Sequence, residues 1–177
     1  MYEKEAEQLQ TVIDDSERIV FFGGAGVSTE SDIPDFRSAD GLYRQKYKYS
    51  PEQIVSHSFF VQNPEGFYEF YKEKMMFLDA KPNAAHRKLA ELEAAGKLTA
   101  VITQNIKHAD GIPRCSCGGM IKPDVVLYEE GLDSAVINKS VKAISEADTL
   151  IIGGTSLIVY PAAGFIDYFR GKHLVVI

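Results

Sequence analysis

Short apolar runs, each handing over to glycine or to a polar pair, constrain this 177-residue chain more than any other feature. Ile19-Val-Phe-Phe22 ends in Gly23-Gly24, Leu98-Thr-Ala-Val-Ile-Thr103 in Gln104-Asn105, and Thr149-Leu-Ile-Ile152 in Gly153-Gly154. A fourth run, Lys172-His-Leu-Val-Val-Ile177, closes the sequence. Runs this short and this apolar read as strands buried on both faces. The segments before them read as helices: the first twenty or so residues with Leu9, Val12 and Ile13 at helical spacing, Asn83 to Ala95 stopped by Gly96, Ala135 to Glu146, and Pro161 to about Arg170. Helices alternating with such strands specify an α/β fold, a doubly wound, Rossmann-like parallel sheet whose ligands bind at the carboxyl ends of the strands.

Residues 36 to 77 interrupt this alternation with Phe36, Tyr43, Tyr47, Tyr49, Phe59, Phe60, Phe67, Tyr68, Phe70, Tyr71 and Phe77. The stretch is too long for a simple crossover. Pro51, Pro64 and Gly66 are expected to divide it into short helices, giving a small helical cap over 36–82 beside a sheet domain built from 1–35, 83–106 and 120–177. No internal repeat and no low-complexity tract is present.

A hydrophobic content of 45% suffices for one substantial core, and the net charge of -6 gives no broad attraction for phosphate backbones. The charge counts against a direct nucleic-acid partner and favours a basic peptide. No run of 18 apolar residues exists and the N-terminus has no signal-peptide core, so the expectation is a cytoplasmic protein with no membrane partner. The two cysteines, Cys115 and Cys117, are too close for an ordinary disulfide, which makes metal ligation the natural reading of the pair.

Gly24-Ala25-Gly26-Val27-Ser28-Thr29 follows the first strand directly, where glycines let the backbone approach a pyrophosphate and the next amides can bind it. Thr29 replaces the third glycine of the usual fingerprint, and tight strand-to-helix turns also use glycine for purely structural reasons. A dehydrogenase would carry an acidic residue at a second strand end about 20 positions on. In its place stands Asp32-Ile-Pro34-Asp35-Phe36-Arg37, a proline-stiffened turn offering a carboxylate, an aromatic face and a guanidinium. That trio could enclose a ribose and a phosphate, or could be a surface turn with one core Phe.

Taken together, Gly24-Ala-Gly-Val-Ser28, then Ile33-Pro-Asp-Phe-Arg37, then Gly41-Leu-Tyr43 resemble the sirtuin family. Thr103-Gln-Asn-Ile106 is similar to that family's second strand end, Gly154-Thr-Ser-Leu157 with Pro161-Ala-Ala163 to its adenosine-side loop, and Lys122-Pro-Asp-Val-Val-Leu-Tyr-Glu-Glu130 to its peptide-binding segment. The resemblance implies an NAD-dependent protein-lysine deacylase, in which nicotinamide leaves and the acyl group of an acyl-lysine protein or peptide passes to ADP-ribose. It implies cofactor contacts from Gly24, Ala25, Gly26, Ser28, Thr29, Pro34, Asp35, Phe36, Arg37, Tyr43, Gln104, Asn105, Ile106, Gly154, Thr155 and Ser156. Asn105 would serve the chemistry, and Val126, Tyr128 and Glu130 would flank the substrate peptide.

Where the family continues into an acidic residue and later a His-Gly carrying the general base, this chain has Lys107-His-Ala-Asp-Gly-Ile-Pro-Arg114. His108 stands outside the family's context and is read as a surface histidine. Cys115 and Cys117 resemble half of a four-cysteine zinc ribbon, leaving 107–119 as a remnant of that module. Base, carboxylate and first cysteine pair would all be removed by one gap, so residues are expected to be missing between Ile106 and Lys107, and also after Ile177. Two further readings stand beside the deacylase: a module that binds NAD or ADP-ribose without chemistry, and an ordinary dehydrogenase.

Overall fold

The computed structural model describes residues 2–36, 48–103 and 126–177. The chain forms two compact units, one of Met1–Ile33, Lys81–Gln104 and Asp133–Ile177, the other of Pro34–Ala80 and Asn105–Leu132.

The first unit is a four-stranded parallel sheet of β1 (Ile19–Gly23), β2 (Leu98–Thr103), β3 (Thr149–Gly153) and β4 (His173–Val176), in the order β2-β1-β3-β4. Its helices are α1 (Glu3–Asp14), α5 (Ala84–Ala94) and α6 (Ser134–Glu146). Ile19, Phe21 and Ile151 pack with Ile13 of α1 and Leu92 of α5 on one face. Strand alternation sends Val20, Phe22, Leu150 and Ile152 to the other face, where all four are fully buried. Each such side chain contributes about 1.5–3 kcal/mol by leaving water.

Local chemistry ends the helices where the sheet needs them to end. Gly96, at φ 72, closes α5 with paired bonds from Gly96 N to the Glu93 carbonyl and from Lys97 N to the Leu92 carbonyl. Lys97 Nζ then donates to the carbonyls of Ile13 and Asp14 at 2.7 and 2.9 Å, placing a positive charge on the carboxyl end of α1. Inside the unit, Ser16 Oγ donates to the Val12 carbonyl and lies 2.6 Å from Thr149 Oγ1. Its one proton being used there, Thr149 is the donor of the second bond.

Two expectations from the sequence need correcting. Only the central strands β1 and β3 are buried on both faces; β2 and β4 alternate, leaving Val101, Leu174 and Val176 about half to two-thirds exposed. In the described sheet each stands at an edge, and an apolar run does not distinguish an edge from a centre. The segment after Pro161 is a 3-10 helix, Ala162–Tyr168, rather than a helix reaching Arg170.

Among the described residues, the second unit has three short helices, α2 (Pro51–Ile54), α3 (His57–Gln62) and α4 (Pro64–Lys74), capped by the side chains of Ser50, Ser56 and Asn63. Pro51 and Pro64 open helices, as their missing amides and fixed φ favour. Gly66 divides nothing: it lies inside α4, where its amide meets Asn63 Oδ1 at 3.1 Å and a Cβ would run into the Asn63 side chain. Phe67 centres the core, edge-on to Phe60 and Tyr68 and stacked on Tyr71, whose phenol is held above its usual pKa by burial. Leu127 enters the same core. The strip from Val126 to Leu132 thus belongs with the helices, although sequence order groups it with the sheet.

Candidate nucleotide site at the strand tips

Strand register brings three chain segments to a common level. Gly23 pairs with Thr103 on one side and with Gly153 on the other, so β1, β2 and β3 end together. From β1 the chain moves outward to β2, then crosses to the opposite side for β3 and β4. The direction of winding therefore reverses between β1 and β3, and it is outside the strand ends at such a reversal that open α/β sheets bind their ligands.

Both loops at this reversal are glycine loops. After β1 the chain enters a 3-10 helix, Ala25–Ser31, closed by Asp32 at φ 60. Gly24 N donates to the Gly153 carbonyl at 3.1 Å and Gly26 N to the Gly154 carbonyl at 2.8 Å. A Cβ on Gly24 would lie 2.5 Å from the Gly154 oxygen, and one on Gly26 2.9 Å from Gly154 Cα. Gly154, at φ 59, would drive its Cβ into the Val27 amide. These glycines let two loops touch, and the amides of Gly24, Gly26 and Val27 are satisfied inside the protein. What this surface turns outward is the partly exposed run Ala25 to Ser28, the exposed Thr29, and Thr155 with Ser156. Thr29 Oγ1 donates to the Gly26 carbonyl, and Leu157, at φ 54, bonds its amide to Thr155 Oγ1. A leucine held in the left-handed region is a strained position of the kind that clusters at binding loops.

The structure thus brings Gly24, Ala25, Gly26, Ser28 and Thr29 together with Gly154, Thr155 and Ser156. Of the remaining residues singled out in the sequence, Pro34, Asp35 and Phe36 lie in the helical unit, with Phe36 packed against its aromatic core. Arg37, Tyr43, Gln104, Asn105, Ile106, Cys115 and Cys117 lie outside the described residues. Among the described residues, no group of three or more His, Cys, Asp or Glu side chains could hold a metal ion, and no helix is long and apolar enough to cross a membrane.

In the helical unit, Tyr128 is bonded through its amide to the Val55 carbonyl at 3.1 Å and through its carbonyl to the His57 amide at 3.0 Å. Glu130 accepts from the Leu127 amide on one oxygen and meets His57 Nδ1 at 2.9 Å on the other. Glu129, at φ 76, accepts from the amide and hydroxyl of Ser58, which hold its carboxyl below the usual range. Val126 and Tyr128 remain exposed between these anchors. Glu130, which the resemblance places at the flank of the substrate, also uses its carboxylate in shaping the segment itself.

One residue escaped the sequence reading. Asn83 caps α5 and is buried, and its Nδ2 donates to the Val27 carbonyl at 2.7 Å, fastening the first glycine loop from behind.

A parallel sheet whose winding reverses between two glycine loops defines the doubly wound, nucleotide-binding class of α/β proteins. The family model described as "Sir2 family" matches residues 24–112 and 107–161, and the chain belongs to that family. It is 52% identical to an NAD-dependent protein deacetylase of Clostridium acetobutylicum over 210 residues, covering 96% of this chain and 86% of the relative. The corresponding protein of Clostridium perfringens is 51% identical with the same coverage. Among solved structures, a Sir2 homologue bound to NAD superposes with a TM-score of 0.81 at 30% identity, over 96% of this chain and 81% of that one. A Sir2 structure with a deacetylated p53 peptide and 3'-O-acetyl-ADP-ribose gives 0.81 at 32% identity, over 96% and 85%.

The alignment to the Clostridium acetobutylicum protein spans 210 residues, whereas 96% of 177, about 170 residues, come from this chain. That relative therefore carries about 40 residues in the matched span without a counterpart here. The two stretches matched to the family meet at residues 107–112.

Proposed function

We propose that the chain is an NAD-dependent protein-lysine deacetylase, releasing nicotinamide and passing the acyl group from an acyl-lysine protein or peptide to ADP-ribose. The observation that carries this reading is the reversal of winding between β1 and β3, with the two glycine loops touching at that point. A dinucleotide suits these loops, where Ser28, Thr29, Thr155 and Ser156 bring small polar residues to the outward-facing surface. NAD supplies the sugar carbon at which bond breaking develops positive charge. Uncharged amides and aromatic walls stabilise such charge while excluding water.

On this reading Gly24, Ala25, Gly26, Ser28, Thr29, Gly154, Thr155 and Ser156 hold the phosphate and adenosine side of NAD. Pro34, Asp35, Phe36, Arg37, Tyr43, Gln104, Asn105 and Ile106 serve its nicotinamide side, with Asn105 orienting a hydroxyl. Val126, Tyr128 and Glu130 flank the peptide, whose basic character suits the net charge of -6. The names of the Clostridium relatives support the deacetylase over a module that binds without chemistry, and the missing ribose acid counts against a dehydrogenase.

The domains on this reading are the sheet domain, the helical cap with 126–132 added to it, and the 107–119 zinc-ribbon remnant, and the compartment is the cytoplasm. Cys115 and Cys117 would provide half of a structural zinc site. Two thiolates cannot close a tetrahedral zinc shell, so the metal requires two ligands from elsewhere. The residues expected between Ile106 and Lys107 would provide them. The shortfall of about 40 residues and the meeting of the two matched stretches at 107–112 support that gap.

Incubation with NAD and an acetyl-lysine peptide tests the function. Nicotinamide and deacetylated peptide should appear in equal amounts; NAD binding with neither product, zinc being present, would overturn the enzymatic reading. The intact mass of the same sample tests the gap, which a value of 19.6 kDa rules out.

A further inference from the structure

The Asn83 side chain touches three groups, and their chemistry fixes its orientation. The Val27 carbonyl can only accept and the His86 amide can only donate, so Nδ2 faces Val27 at 2.7 Å and Oδ1 faces His86 N at 3.2 Å. His86 Nδ1 lies 2.9 Å from the same Oδ1 and must therefore carry its proton. A protonated Nδ1 cannot also accept from the Asn83 amide, which lies farther off at 3.4 Å. His86 thus holds the amide so that its donor points at the loop. Asn83 is buried, so breaking the bond to Val27 leaves polar atoms away from water. Gly26 ties the front of the loop to Gly154, while Asn83 ties its back to α5.

We infer that Asn83, oriented by His86, is a positioning residue for the nucleotide: its Nδ2 bond to Val27 holds the loop 25–31 in the binding shape. The inference rests on the reading of that loop as the dinucleotide site. Helix capping alone would explain the Oδ1 bonds, yet it gives no reason for an amide here. Serine caps equally well without a second arm.

Two variants separate the roles. Asn83→Ser keeps a capping oxygen and loses the reach to Val27, whereas Asn83→Ala loses both. Both should weaken ADP-ribose binding by about tenfold in calorimetry, the scale of one ordinary hydrogen bond. Asn83→Ala should lower the melting temperature further than Asn83→Ser, because it loses the helix cap as well. In the ligand-free protein, amides of residues 25–31 should exchange about tenfold faster in Asn83→Ser while those of α5 stay unchanged, since the loop opens locally. Unchanged exchange in Asn83→Ser would overturn the inference, as would parental affinity for ADP-ribose. A parent protein that binds no ADP-ribose, with exchange altered as expected, would instead overturn the nucleotide reading and leave the loop tie standing.

Discussion

Gly26 and Gly154 approach so closely that the amide of one meets the carbonyl of the other at 2.8 Å and neither has room for a Cβ. Gly154→Ala adds two penalties, a left-handed backbone at φ 59 and overlap with Val27. The first costs about 1–2 kcal/mol and the second a further 1–3 kcal/mol, roughly. Gly96→Ala is the control, since Gly96 sits at φ 72 in open space and carries the first penalty alone. Urea denaturation should show Gly154→Ala to be the more damaging, and only that variant should lose ADP-ribose binding. Equal losses in the two would mean that the loop contact has no weight.

Glu130 holds its own turn through the Leu127 amide and reaches His57 through the other oxygen. Glu130→Ala removes two of the anchors of the strip that carries Val126 and Tyr128. KM for an acetyl-lysine peptide should rise several-fold, about 1 kcal/mol or more in peptide binding, while KM for NAD stays level. A rise in both, or in neither, would separate Glu130 from the peptide.

Asp15 receives hydrogen bonds from Lys172 and from His173, and these, in that order, lower its pKa in the folded protein. A depressed folded pKa means that its contribution is complete above the unfolded carboxylate value and disappears as pH falls through the folded one. Asp15→Asn should therefore melt below the parent near about pH 7, with the gap closing toward about pH 3. The effect will be modest, because the carboxylate is half exposed. A gap that stays constant with pH would assign the loss to something other than charge.

Local composition specified most of the sheet. Ile19-Val-Phe-Phe22 and Thr149-Leu-Ile-Ile152 read as buried strands and form them, and the glycines after them mark the tips. The edge character of β2 and β4 was invisible, since Leu98 to Thr103 looks as apolar as a centre strand and only the neighbours decide. Gly66 misled because glycine before a long helix usually punctuates, whereas here it makes room for a capping asparagine. Asn83 stood in the sequence only as the first residue of a helical stretch. Its second bond crosses 56 positions to Val27, and no local pattern encodes that. The glycine loops were assigned to ligand approach, yet their tightest contacts are with each other.

The two loops at the reversal of winding come from opposite ends of the chain, with β1 and β3 partners about 130 positions apart. Forming this surface means closing that long segment, an entropy cost that the contacts of the central pair must offset. Any ligand held there should in turn raise the thermal resistance of the whole sheet rather than of one loop.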